Sequence, residues 1–107
     1  MQLAGISVAD TPLARMKGLL GRRSLDAGEG LLLRPAGSVH TAFMRFAIDV
    51  VFLDRDLRVL RIAPSVAPWR VVAQRGAKAV LELPAGGAER NGLEPGMLVT
   101  VSDERPA

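Results

Sequence analysis

The sequence predicts an α+β fold, in which a mainly antiparallel, partly closed sheet carries one principal N-terminal helix and a short second helix. Three observations lead there. An amphipathic helical pattern occupies residues 11–20, the pattern turns to short β runs from Gly30 onward, and two of those runs, in VVFLDRDLRVLRI, are joined by a short polar turn. Many short runs separated by turn residues mark an antiparallel sheet or barrel rather than repeated βαβ units.

Residues 2–8 read as an opening strand. Asp10-Thr11-Pro12 then offers a cap followed by proline at the first helical position, where a missing N–H costs nothing. The helix extends to about Leu20, because Leu13, Met16, Leu19 and Leu20 fall within one arc of roughly 120° at 100° per residue. The same spacing sets Arg15 and Arg22 nearly in register on a flank of that arc, beside Gly18. After Gly28-Glu29-Gly30 come runs at Gly30–Arg34, Ser38–Phe43, Asp49–Leu53, Leu57–Ile62, Val71–Gln74, Ala79–Leu83 and Leu98–Ser102. The polar connection Asp54-Arg55-Asp56 selects antiparallel pairing of its two flanking runs. Val50, Val51, Phe52 and Leu53 are all apolar, so that strand is expected to be buried on both faces. Pro84-Ala85-Gly86-Gly87 precedes a short helix near residues 88–91, stopped by Gly92, and Leu93-Glu94-Pro95-Gly96 turns into the last strand. Pro35-Ala36-Gly37, Ala63-Pro64-Ser65 and Glu94-Pro95-Gly96 are too short for linkers and read as punctuation within one domain spanning 1–107.

Composition removes several classes of function. A chain of 107 residues with 49% hydrophobic residues can bury a core, which argues against intrinsic disorder. The absence of cysteine excludes disulfides, thiolate-bound metals and a thiol nucleophile. Fourteen Lys+Arg against 11 Asp+Glu leave a net charge of +3, and the arginines are dispersed among acids, so the basic balance alone is a weak sign of nucleic-acid binding. No apolar stretch is long enough for a membrane span, and the first residues lack a basic start followed by an apolar run; a cytoplasmic location is expected. No glycine-rich phosphate loop of nucleotide-binding spacing is present, and no cofactor is expected.

Candidate chemistry gathers in two places. Ser38, His40, Thr41, Arg45 and Asp49 form the densest polar cluster in mid-chain. Ser38 and His40 lie two apart on one strand, without the strained elbow that presents a nucleophilic serine, and a single histidine with no paired ligand spacing supplies no metal frame. The structural alternative for His40 is a hydrogen-bonded strand residue. Glu82 is the odd residue in AVLELP: strand alternation sets it with Val80, so covering both faces buries it. A buried carboxylate must be paired or protonated, which makes Arg45 or Arg15 its expected partner. Trp69, the one tryptophan, reads as a cap on the end of the sheet, although an aromatic beside Arg70 is also the composition of a binding hot spot.

Three blocks together resemble one family. TPLARMKGLLGRRSL is similar to its Thr, Arg, Gly-Leu-Met-Gly-Arg helix segment. GEGLLLRPAGSVHTAFMRFAIDVVFLDRDLRVLRI is similar to its aromatic-or-His, Met-Lys/Arg and Ile-Asp-hydrophobic-Phe-hydrophobic-Asp hairpin. AVLELPAGGAERNGLEPGM is similar to its Val-Leu-Glu-Leu and glycine-rich closing motif. The family is the bacterial and archaeal domain of unknown function 192, also called uncharacterised protein family 0127, and the resemblance covers about residues 8–101. It implies a compact α+β domain with a strongly curved, barrel-like sheet, and it implies no activity. Its motif positions fall on Arg15, Gly18, Gly21, Arg22, His40, Met44, Arg45, Asp49, Asp54 and Glu82. The Ser-Val-His-Thr and Met-Arg version resembles forms found near pilus and secretion genes. Met97 stands where the family usually has Asp, and Ala36 where this subgroup has Cys.

The leading expectation is a binding or accessory module for an unknown protein or a small anionic ligand. Its pocket would gather Arg15, Arg22, His40, Arg45, Asp49 and Glu82, the arginines holding the anion and the acids orienting them. The alternatives are a small hydrolase-like or acid–base enzyme using His40 and Asp49, and a weak nucleic-acid binder.

Overall fold

Strands β5 (Ile48–Leu53) and β8 (Ala79–Pro84) are buried on both faces and pair antiparallel along their whole length, from Ile48 opposite Pro84 to Leu53 opposite Ala79. They form the centre of the fold because nearly every side chain they carry gains by leaving water. The computed structural model describes residues 2–3, 6–9, 30–41, 46–101 and 105–106. Among these, β1 is Gln2–Leu3, β2 Ile6–Ala9, β3 Gly30–Leu33, β4 Ser38–His40, β6 Val59–Val66, β7 Val71–Ala73, β9 Thr100–Val101 and β10 Arg105–Pro106, with one four-residue helix, α1, at Gly87–Arg90.

The main sheet has the order β10-β2-β3-β8-β5-β6. Strands β3, β8, β5 and β6 are antiparallel neighbours, whereas β2 runs parallel to both β3 and β10. β1 pairs parallel with β9, and β4 pairs antiparallel with β7 in a separate two-stranded ribbon. This corrects the expected barrel-like sheet. Among the described residues β6 and β10 end the sheet without pairing to each other, so the sheet is open, and its β2 side is parallel rather than antiparallel. Counting short β runs says nothing about whether the two edges meet. Among the described residues the only helix is α1, matching the expected short second helix in place. The expected principal helix falls within residues 10–29, outside the described residues.

Residues directly opposite in a ladder share a face, which divides the core into two layers. One face carries Leu32, Val51, Leu53, Leu81 and Leu83, covered by Ala88 of α1 with Leu93 and Val99. The other carries Leu31, Leu33, Ile48, Val50, Phe52 and Val80, covered by Val39 of the ribbon and Ala77. The hairpin predicted around Asp54-Arg55-Asp56 is the β5–β6 pair. Its turn is closed by Asp54, whose Oδ1 accepts the backbone N–H of Asp56 and of Arg58, each at 2.9 Å. β6 continues through Ala63-Pro64-Ser65, read from sequence as a break. Ile48 pairs with Val66 and Val50 with Ala63, so one extra residue is accommodated as a bulge. Proline is tolerated there because β6 is an edge strand.

Candidate functional site

Asp49 sits at the start of β5 opposite Leu83 and is 1% exposed. Its Oδ1 accepts backbone N–H groups from Ser65 at 2.9 Å and Gly86 at 3.2 Å, and its Oδ2 accepts that of Ala88 at 2.9 Å. Helix α1 has no capping side chain of its own; its N-cap is Gly86, in a left-handed conformation at φ 84. Asp49 therefore caps α1 from another strand and holds the β6 bulge, where Ser65 has φ 48. A carboxylate accepting three amide donors is a strong architectural clasp, with both oxygens directed at backbone rather than at a substrate.

Glu82 lies one position away on the neighbouring strand but on the other face, opposite Leu31 of β3 and Val50 of β5. It is 3% exposed, and Oε2 accepts no hydrogen bond from the described residues. Burial pushes its carboxyl up from the ordinary 4.5 to about 8, because the charged form loses its hydration among apolar neighbours. Near neutral pH the group is mainly protonated. Arg15 and Arg45, the partners expected from sequence, lie outside the described residues, as does Arg22.

His40 is exposed on β4, directly opposite Val71 of β7. The ribbon turns Val39 and the half-buried Val72 inward and leaves Ser38, His40, Val71 and Ala73 on its outer face. The ribbon packs on the Glu82 side of the sheet, whereas the carboxylate of Asp49 reaches α1 on the opposite side. The six expected pocket residues therefore do not all converge: of the three described, Asp49 and Glu82 face opposite ways and His40 is at the surface. Among the described residues no three His, Asp or Glu side chains come together as metal ligands.

The residue that organises this end of the ribbon is Thr41, fully buried. Its hydroxyl accepts the N–H of Arg70 at 2.7 Å and donates to the carbonyl of Ala67 at 2.7 Å. Its own N–H donates to the carbonyl of Arg70 at 2.8 Å, and the N–H of Trp69 donates to its carbonyl at 3.1 Å. These bonds hold residues 67–70 in a turn where Trp69 adopts φ 63, a left-handed conformation costly for a bulky residue. Trp69 is 62% exposed and Val71 is 75% exposed. The tryptophan is thus displayed, not used as a cap on the sheet. A sequence signal for this surface exists: residues 57–81 contain Arg58, Arg61, Arg70, Arg75 and Lys78 and no acid, with Trp69 near the middle.

The DUF192 family model, described as an uncharacterized ACR, matches residues 2–101. The UPF0127 protein of Pyrococcus furiosus is 37% identical over 95 residues, covering 85% of this chain and 81% of its own length. The UPF0127 protein of Thermococcus sibiricus is 32% identical over 109 residues, covering 95% and 70%. Among solved structures, a protein from Sinorhizobium meliloti 1021 provisionally named a transcription regulator superposes with a TM-score of 0.76 at 26% identity, covering 85% of this chain and 76% of that one.

Proposed function

The chain belongs to the DUF192 family, and from that premise we propose that it acts as a binding or accessory module for an anionic partner, not as an acid–base enzyme. The observation that supports this most is the separation of His40 from Asp49. A catalytic histidine needs a group that orients it and a substrate proton within reach. Asp49 is occupied by the amides of Ser65, Gly86 and Ala88, and His40 stands on the outer face of a ribbon on the other side of the sheet. Glu82, buried and mainly protonated near neutral pH, offers no negative charge to substrate or cation.

The preference for an anion follows from charge distribution. In the sequence, residues 30–48 and 57–81, the stretches that include the covering ribbon and the strands beside it, contain Arg34, Arg45, Arg58, Arg61, Arg70, Arg75 and Lys78 without one acidic residue. A field of one sign attracts the opposite sign. Arg15 and Arg22 are proposed to add to the same preference. The name of the Sinorhizobium protein makes nucleic acid the competing anion. Isothermal titration at low salt against poly-L-glutamate, a single-stranded DNA of equal charge and poly-L-lysine tests the reading. Saturable heat with a polyanion that disappears by about 1 M salt, where screening acts over about 3 Å, is expected. Binding to poly-L-lysine alone, or to none of the three, overturns it.

A further inference from the structure

We infer that the outer face of the β4–β7 ribbon is a docking surface for an acidic polypeptide segment, with Trp69 as its anchor and Arg70 and Arg75 as its charge contacts. This rests on the anion-binding reading and names the place and the class of partner.

Four features of the surface point there. Trp69 and Val71, two residues apart in the chain, are 62% and 75% exposed, and tryptophan and arginine are both enriched in interface hot spots. The turn that displays Trp69 is already ordered, since Thr41 holds residues 67–70 with its hydroxyl and both its backbone groups. A partner therefore does not have to freeze that turn on binding, which removes one entropic cost of association. The strained φ of Trp69 is a second sign of display: burying this side chain in a relaxed turn would be cheaper, and such strain concentrates at sites that present a group. Finally, the charge is complementary to an acid-rich partner. Arg70 lies at one end of β7 and Arg75 just beyond the other, both exposed, with Ser38, His40, Val71 and Ala73 between them and no acid in the segment. An extended peptide of about six residues spans that length at roughly 3.3 Å per residue.

The same features favour peptide over nucleic acid. Strand-tracking nucleic-acid surfaces stack successive bases on several aromatic groups, whereas Trp69 is the only tryptophan and the chain has no tyrosine.

Trp69 alone dominates the intrinsic emission, so binding can be read without a label. The probe is an alternating Glu/Leu heptapeptide blocked at both ends, titrated at low salt, with a lysine-for-glutamate version and a short oligothymidylate as comparisons. The expected result is saturable binding of the acidic peptide with a blue shift of Trp69 emission. By anisotropy of a fluorescein-labelled peptide, Trp69→Ala and Arg70→Ala weaken binding by at least about tenfold, while Arg90→Ala in α1, which covers the opposite face of the sheet, leaves it unchanged. Circular dichroism of each variant confirms that the sheet is retained. Acidic peptide bound equally well by Trp69→Ala would overturn this surface and leave the anion-binding reading standing. Tighter, Trp69-dependent binding of the oligothymidylate would overturn the choice of partner. No saturable binding of either anion up to about millimolar concentration would overturn both readings.

Discussion

Glu82 makes the stability of this chain depend on pH in an unusual direction. Its carboxyl titrates near 8 in the folded protein and near its ordinary 4.5 when unfolded. Between those values the folded state keeps a proton that the unfolded state has released, so raising the pH favours unfolding. The contribution is fully present below about pH 4.5 and is lost as pH climbs through 8. Each pH unit inside that window removes about 1.4 kcal/mol, which amounts to about 3 kcal/mol by pH 7 and about 5 kcal/mol above pH 9. A protein of this size is held by only about 5–15 kcal/mol, so the loss is large. Glu82→Gln keeps the shape and removes the titration. Urea unfolding of wild type and variant, followed by circular dichroism at pH 5, 6, 7 and 8, isolates the effect, because other titrating groups contribute to both proteins. The expected difference grows with pH, with the variant the more stable at pH 8. A difference that is flat, or that favours wild type as pH rises, would show an ionised Glu82 paired with a cation such as Arg15 or Arg45, and the protonated carboxyl would be refuted.

Asp49→Ala should cost about 3 kcal/mol, because three amide donors, that of Ala88 buried and those of Ser65 and Gly86 partly buried, lose their acceptor at about 1 kcal/mol each; the urea midpoint falls, and amide exchange quickens first at Ser65 and Ala88. Thr41→Val removes the hydroxyl that serves Arg70 N–H and Ala67 C=O, at about 1–3 kcal/mol, and Trp69 emission should change in the folded protein, which a purely packing role for Thr41 would not produce. Gly87→Ala places a Cβ 2.9 Å from that of Leu83, a residue fixed in β8; overpacking of about 1–3 kcal/mol should exceed the gain of about 1 kcal/mol from a better helix former, giving a lower melting temperature.

Much of the fold was legible wherever local pattern decides. The unbroken apolar run Val50–Leu53 reports a strand covered on both faces, and Asp54-Arg55-Asp56 reports its hairpin, because both signals lie within a few residues of the structure they describe. Glu82 was legible for the same reason: alternation within AVLELP sets it beside Val80. What failed depends on distant chain. The parallel pairing of β2 with β3 and the unclosed edge at β6 are choices of partner, and no periodicity in Ile6–Ala9 or Val59–Val66 records them. Ala63-Pro64-Ser65 reads as punctuation in the sequence, yet β6 runs through it, because at an edge the donor that proline lacks has no partner to lose.

Asp49 shows why a polar residue in an apolar strand is easily mistaken for a reactive one. Its partners are amide hydrogens of Ser65, Gly86 and Ala88, groups that every residue but proline carries and that no side-chain pattern announces. Glu82, the same chemistry one ladder position away on the opposite face, meets Leu31 and Val50 and stays neutral near pH 7. The two carboxyl groups behave differently because their neighbours differ, and between them they remove from surface chemistry both acids of the central strands. Trp69 follows the opposite logic: buried Thr41 holds a strained turn in which the tryptophan is 62% exposed. A strained turn that keeps an aromatic ring exposed costs stability at the surface, whereas the interior acids serve or burden the core.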